Sequence, residues 1–222
     1  MTIALNIQNV SLTLPAASGP VNILKDISLQ ISHGETVAII GPSGSGKSSL
    51  ISIATGLEHV TSGEVELLGQ SLSGRSESEL AQLRRSRVSL VFQSFHLLPT
   101  MCALDNVRTP LEIAGLADAQ DRARDILDKV GLSERMDHYP GQLSGGERQR
   151  VAVARALASH PDIVFADEPT GNLDQKTGKD IADLLFDIAK DRGAALILVT
   201  HDTELAARAD RQLHMSDGHL NV

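Results

Sequence analysis

Apolar positions recur along this chain in two different rhythms. Over residues 3–14 and again over 21–31, β-branched and apolar residues come close to alternating, on either side of a loop bounded by Pro15 and Pro20, which predicts two strands. Thr36-Val37-Ala38-Ile39-Ile40 is instead a short continuous apolar run, the mark of a strand covered on both faces. Further strands are predicted over 62–68, 88–92, 163–166 and 196–200. Between them the rhythm becomes helical, over 47–55, from Ser76 to about Arg87, 104–137, 145–159, 176–191 and 203–208. Ser76 and Glu79 have the spacing of a capping box, and Ile126, Leu127 and Val130 are spaced for one buried face. Strands alternating with helices predict an α/β fold: a mostly parallel sheet core, an antiparallel β region near the N-terminus and a helical insert. The expected organisation is one domain over 1–222, with the core in about 1–93 and 160–222 and the insert in about 94–159.

Chemistry sits at the ends of the predicted buried strands. Gly41-Pro42-Ser43-Gly44-Ser45-Gly46-Lys47-Ser48 follows one of them and runs into a helix, which is the context a phosphate-binding loop requires. Its glycines allow backbone N–H groups to turn inward around phosphates, Lys47 brings positive charge to the β- and γ-phosphates, and the Ser48 hydroxyl can reach Mg²⁺. Ile163-Val164-Phe165-Ala166 delivers Asp167 and Glu168 to its C-terminal end, where ligands sit in open α/β sheets. Asp167 is suited to holding Mg²⁺ through a bridging water, and Glu168 to accepting a proton from an attacking water. His201 ends the run Leu196-Ile197-Leu198-Val199-Thr200, and its strand is expected beside that of Asp167. From there the imidazole would reach a γ-phosphate and orient Glu168. Leu143-Ser144-Gly145-Gly146-Glu147 opens a helix and can be a plain cap or an anion site.

Composition narrows the classes. Cys102 is the only cysteine, which excludes an internal disulfide and a cysteine metal cluster. A net charge of −8 argues against a nonspecific nucleic-acid binder. No apolar run approaches the length of a membrane span, and the N-terminus has neither a basic start nor a cleavable apolar segment, so a cytoplasmic location is expected. Aromatic residues are scarce, with one Tyr, four Phe and no Trp.

The ordered set of Gly41–Ser48, Gln93, Leu143-Ser144-Gly145-Gly146-Glu147-Arg148-Gln149-Arg150, Asp167-Glu168-Pro169-Thr170-Gly171-Asn172-Leu173-Asp174 and His201 resembles the nucleotide-binding domain of ABC transporters over almost the whole chain. The resemblance implies an ABC ATPase fold, ATP and Mg²⁺ as cofactors, and transport-coupled ATP hydrolysis. It implies a nucleotide held by Gly41, Pro42, Ser43, Gly44, Ser45, Gly46, Lys47, Ser48 and Ser49. Two copies would pair head to tail around ATP, so that Leu143, Ser144, Gly145, Gly146 and Glu147 meet the γ-phosphate bound by the other copy and Asp174 crosses the interface. Gln93 would touch Mg²⁺ or water and join the core to the insert, making Ser48, Gln93 and Asp167 the metal ligands and Glu168, His201 and Gln93 the catalytic set. A monomer would be nearly inactive.

A narrower resemblance, to the lineage serving MacB-, LolD- and FtsE-type systems, rests on Gly171-Asn172-Leu173-Asp174 and on residues 91–100, Val-Phe-Gln-Ser-Phe-His-Leu-Leu-Pro-Thr. It implies a mechanical transmitter for a separate permease at the cytoplasmic face of the inner membrane. Lipid, lipoprotein or hydrophobic small molecules would be its cargo. Residues 94–110, apolar at Phe95, Leu97, Leu98, Met101 and Leu104, are expected to receive the permease or to be ordinary core of the insert. The alternative is a soluble ABC-type ATPase acting on nucleic acid or ribosomes. Relatives of that kind carry a long insertion between the first glycine loop and Ser144, or two cassettes in one chain. Here fewer than a hundred residues separate Gly46 from Ser144, and there is one cassette. The permease reading is favoured, with no nucleic acid expected. One departure is Leu14, which stands where the family commonly places an aromatic residue to stack on adenine; no aromatic residue precedes Phe92.

Overall fold

The computed structural model describes residues 2–17, 19–171 and 173–221. Its elements are, in chain order, β1 (Ile3–Leu14), β2 (Val21–Ser32), β3 (Thr36–Ile40), α1 (Lys47–Ala54), β4 (Ser62–Leu67), β5 (Gln70–Ser71), α2 (Glu77–Arg84), β6 (Val88–Val91) and α3 (Ala103–Ile113). There follow α4 (Ala119–Lys129), two 3₁₀ turns (Ser133–Arg135 and Pro140–Gln142), α5 (Gly145–Leu157), β7 (Ile163–Asp167), α6 (Gln175–Arg192), β8 (Ala195–Val199), α7 (Thr203–Ala206), β9 (Arg211–Ser216) and β10 (His219–Asn221).

Two sheets result. One is antiparallel, in the order β2-β1-β4-β5. The other runs β10-β9-β3-β8-β7-β6 and is parallel except at β10. The continuous apolar runs of β7 and β8 make sense in this setting, because successive side chains point to opposite faces and both faces are covered. Ile163, Phe165, Ala195, Ile197 and Val199 join a core with the antiparallel sheet, α1 and α2. Val164, Ala166, Leu196 and Leu198 join a second core with α3, α4, α5 and α6. Phe165 is 1% exposed, so Phe165→Ala should cost about 3–5 kcal/mol, a large share of the roughly 5–15 kcal/mol that holds a domain folded.

Two features differ from the sequence-based expectation. The helix expected over 104–137 is divided. Gly115, at φ 79°, lets the chain reverse after α3, with its N–H bonded to Glu112 O and the Leu116 N–H to Leu111 O. Residues 211–216 and 219–221, for which no element was expected, form β9 and β10. β9 is aligned on β3 by Asp210, whose carboxylate accepts from the Thr36 N–H (2.8 Å) and hydroxyl (2.7 Å). The expected capping box is present: Ser76 Oγ accepts from the Glu79 N–H, and the Glu79 carboxylate accepts from the Ser76 N–H. Among the described residues no helix is long and apolar enough to cross a membrane.

Candidate active site

The loop after β3 is shaped by what lies beneath it. A Cβ on Gly41 would sit 2.0 Å from the Met215 carbonyl oxygen, so β9 passes at a distance only glycine permits. Gly46 adopts φ 106° at the start of α1, within about 3 Å contact range of Leu24 and Met215 side chains for any added Cβ. The β9–β10 turn is tied in at both sides: the Gly218 N–H donates to Ser45 O (3.1 Å), and Gly218 O accepts from the Lys25 N–H (2.9 Å). Lys47 folds its ammonium over the loop, donating to the carbonyls of Gly41 and Pro42, both at 2.9 Å.

The N-terminus of α1 is suited to a phosphate. Among the described residues, it alone of the seven α-helices has neither a side-chain cap nor an acidic residue in its first turn. The others use Ser76, Cys102, Ser144, Asp174 or Asp202 as caps, or carry Asp121 in the first turn. An uncapped N-terminus beside a lysine and without a competing carboxylate favours an external anion. The Ser48 hydroxyl donates to Asp167 Oδ2 at 2.7 Å, so these two oxygens converge from α1 and β7. Hydroxyl and carboxylate oxygens are the donors a hard cation such as Mg²⁺ takes.

Glu168 follows directly, at φ 48°, with its N–H bonded to Val199 O (2.9 Å) and its carbonyl accepting from the Gly171 N–H. A non-glycine residue in that region costs about 1–2 kcal/mol, offset here by the bond to β8. Its Oε1 lies 2.8 Å from His201 Nδ1. The Glu168 side chain is 13% exposed and that of His201 73%. The hydrogen bond to Glu168, and then its charge, raise the His201 pKa above the ordinary value, against partial desolvation and the charge of Lys47. His201 is placed by Thr200, which is buried and bonds its N–H to Ile39 O, and by Asp202, which caps α7. β8 lies between β3 and β7, as the order β3-β8-β7-β6 requires. Gln93, exposed, lies two residues past the Val91–Ala166 pair, the same step that separates Glu168 from Ala166 on the neighbouring strand.

The structure thus gathers Lys47, Ser48, Gln93, Asp167, Glu168 and His201 at the C-terminal edge of one sheet. It does not bring residues 143–147 there. Ser144 caps α5 in a reciprocal box: its Oγ accepts from the Glu147 N–H (3.2 Å) and its N–H donates to Glu147 Oε2 (2.8 Å). That box and the guanidinium of Arg135 hold the Glu147 carboxyl below its usual range. Asp174 caps α6 through the Thr177 N–H, and the bonds from Thr177 lower its pKa. Among the described residues no hydrogen bond or ion pair joins 143–147 to 41–48; α5 packs on α3, α4, α6 and β6, and α1 on β2, β4 and β7. Asn172, in the Gly171–Asp174 run, lies outside the described residues. Sequence reasoning missed the Met215 carbonyl and Gly218 under the phosphate-binding loop. The alternation of Leu213 and Met215 with exposed neighbours was the signal available.

The family model described as ABC transporter matches residues 24–171. The chain is 52% identical over 201 residues to YbbA of Escherichia coli K12, an uncharacterized ABC transporter ATP-binding protein, covering 90% of this chain and 88% of that one. It is 48% identical over 219 residues to the lipoprotein-releasing system ATP-binding protein LolD of Bordetella avium, covering 98% and 95%. Among solved structures, the ATP-binding cassette MJ0796, in a dimeric post-hydrolysis state bound to ADP and Pi, matches with a TM-score of 0.92 at 38% identity, covering 96% of this chain and 95% of that one.

Proposed function

The chain belongs to the ABC transporter family as an ATP-binding, ATP-hydrolysing subunit, and on that premise we propose that ATP-driven pairing of two copies powers a separate membrane permease. The observation that carries the reading is the convergence of Ser48 on Asp167 and of Glu168 on His201 at one sheet edge. The β- and γ-phosphates rest on the first turn of α1 and on Lys47, which exchanges its two carbonyl partners for phosphate oxygens. Ser48, Asp167 and Gln93 would hold Mg²⁺, which when bound neutralises phosphate charge. Glu168 accepts the proton of the attacking water, a role worth about 10²–10⁴ in rate. His201 keeps Glu168 in place through Nδ1 and leaves Nε2 to the γ-phosphate.

The second copy completes the site. Ser144 uses its oxygen to accept from Glu147, and its hydroxyl hydrogen remains to donate to a γ-phosphate held by the other copy. Asp174 lies at that interface, and the insert of about 94–159 moves against the core as the pair closes. The dimeric state of the similar cassette supports this arrangement. The permease docks on residues 94–110 and holds the chain at the cytoplasmic face of the inner membrane. Similarity to LolD supports a lipoprotein or lipid cargo.

The test is Glu168→Gln, which should bind ATP, hydrolyse it roughly 10²–10⁴-fold more slowly and accumulate as a dimer. Tagged and extracted from detergent-solubilised cells with ATP and Mg²⁺, it should carry a multi-span permease identifiable by mass spectrometry. Wild-type hydrolysis would overturn the role of Glu168. Ribosomal or DNA-associated proteins without a permease would instead identify a soluble ATPase.

A further inference from the structure

The loop that follows Gln93 holds two consecutive non-glycine residues in the left-handed region, Phe95 at φ 62° and His96 at φ 49°. Such placements are disfavoured for residues with a Cβ and persist only where the surroundings impose them. The imposing group comes from α5. Arg155, in the last turn of that helix, donates from Nη1 to His96 O (2.6 Å) and from Nη2 to Phe95 O (2.9 Å). Arg148, two turns earlier on the same face, lies 5.5 Å from the Phe95 ring centre and donates to Leu143 O at 2.9 Å. Within the loop the Phe92 and His96 rings stack at 4.7 Å.

Arg155 is not an ordinary ion-pair partner. Among the described residues no carboxylate lies within salt-bridge distance of it, and burial lowers its pKa. Withdrawing a cation from water toward carbonyls alone is unfavourable unless the geometry is well matched. The planar fork of a guanidinium supplies that match to two neighbouring carbonyls, and an ammonium does not.

We propose that Arg155 is a positioning residue for Gln93: by clamping the Phe95 and His96 carbonyls it fixes the loop that presents Gln93 to the nucleotide edge, and it fastens that loop to the helix that begins at Ser144. This rests on the role given to Gln93 above. Arg155 and Ser144 lie eleven residues apart on one rigid helix, about 16 Å at 1.5 Å per residue. Displacement of the loop is therefore carried to the residue that meets the second copy's nucleotide.

The test is a kinetic cycle on the full chain. Arg155→Met should lower kcat about tenfold and leave the KM for ATP within about twofold, because a positioning defect acts after binding. Arg155→Lys, which keeps the charge and loses the fork, should fall similarly and keep its unfolding midpoint. Adding Gln93→Ala to either should cause no further loss, since both act through Gln93. His96→Gly in the Arg155→Lys background should restore about threefold or more, because glycine takes positive φ without strain. A normal kcat in Arg155→Lys, multiplicative losses with Gln93→Ala, or no recovery with His96→Gly would each overturn the proposal. Wild-type hydrolysis by Gln93→Ala alone would overturn the role of Gln93 and this inference with it. A slow Gln93→Ala beside a normal Arg155→Lys would overturn the inference only.

Discussion

The carboxylate of Glu168 and the imidazole of His201 meet at 2.8 Å across the ends of two adjacent parallel strands, the first largely covered and the second open to solvent. This contact makes His201 a reporter of Glu168. Its folded pKa is raised above the unfolded value of about 6.5. The pair's contribution to stability is therefore fully present below about pH 6.5 and is lost as pH rises through the folded pKa. An NMR titration should place the His201 midpoint above the unfolded value and return it toward that value in Glu168→Gln. A midpoint unmoved by that substitution would refute the contact.

Gly41→Ala should damage the protein more than a one-carbon change suggests. Its Cβ would lie 2.0 Å from the Met215 carbonyl oxygen, which is backbone and cannot rotate away. Either β9 retreats from β3 or the phosphate-binding loop lifts off. The expected cost is roughly 3 kcal/mol of stability, with weakened ATP binding in whatever remains folded. Urea unfolding and nucleotide titration measure the two effects, and wild-type values in both would mean that β9 does not press on the loop.

Much of this site was legible in the sequence because strand ends deliver its residues. A buried strand announces itself by a continuous apolar run, and the residue after it must emerge at the sheet edge. Asp167, Glu168 and His201 stand at the ends of such runs, Ser48 lies one glycine loop beyond another, and the order of strands brings them together. What could not be read was the backbone that aims them. Glu168, Phe95 and His96 adopt positive φ without glycine, so their conformations are set by Val199 O and Arg155 rather than by local preference. β9 was missed because its alternation is brief and half polar; pairing with β3 and the Asp210–Thr36 bonds make it a strand. Ser144 shows the opposite limit. Its pattern was plain, and within one copy it is only a helix cap.

Nucleobase selectivity should be weak. Leu14 pairs with Val21 across the β1–β2 hairpin, and Leu14 and Ile23 pack on the same core while Ile23 O lies beside Gly46. The surface next to the phosphate-binding loop is thus aliphatic, and a ring stack worth roughly 1 kcal/mol is replaced by apolar contact. GTP should be hydrolysed within about tenfold of the ATP rate. Leu14→Tyr should widen the gap in favour of ATP. A strong ATP preference in the unaltered chain would show that the base is read elsewhere.

The proposed docking of a permease on residues 94–110 can be tested apart from chemistry at Leu98. Its backbone is fixed on both sides by Asn106, whose Oδ1 accepts from the Leu98 N–H (2.8 Å) and whose Nδ2 donates to Leu98 O (3.1 Å). The residue is nevertheless 49% exposed, whereas Leu97 packs against the core formed with α3–α6 and Leu104 lies 7% exposed within it. The segment 94–110 therefore contains both core and surface, and only the surface part can meet a partner without unfolding the insert. Leu98→Glu should leave the fold and basal ATP hydrolysis within about twofold, since a surface substitution costs about 0.5 kcal/mol or less. Permease-stimulated hydrolysis should fall tenfold or more, about the loss expected when a charge is buried at the centre of an apolar contact. Leu104→Glu, by contrast, should lower both activities together by breaking the core. Parallel loss of both activities in Leu98→Glu would mean that this side chain supports the insert and that the permease docks elsewhere.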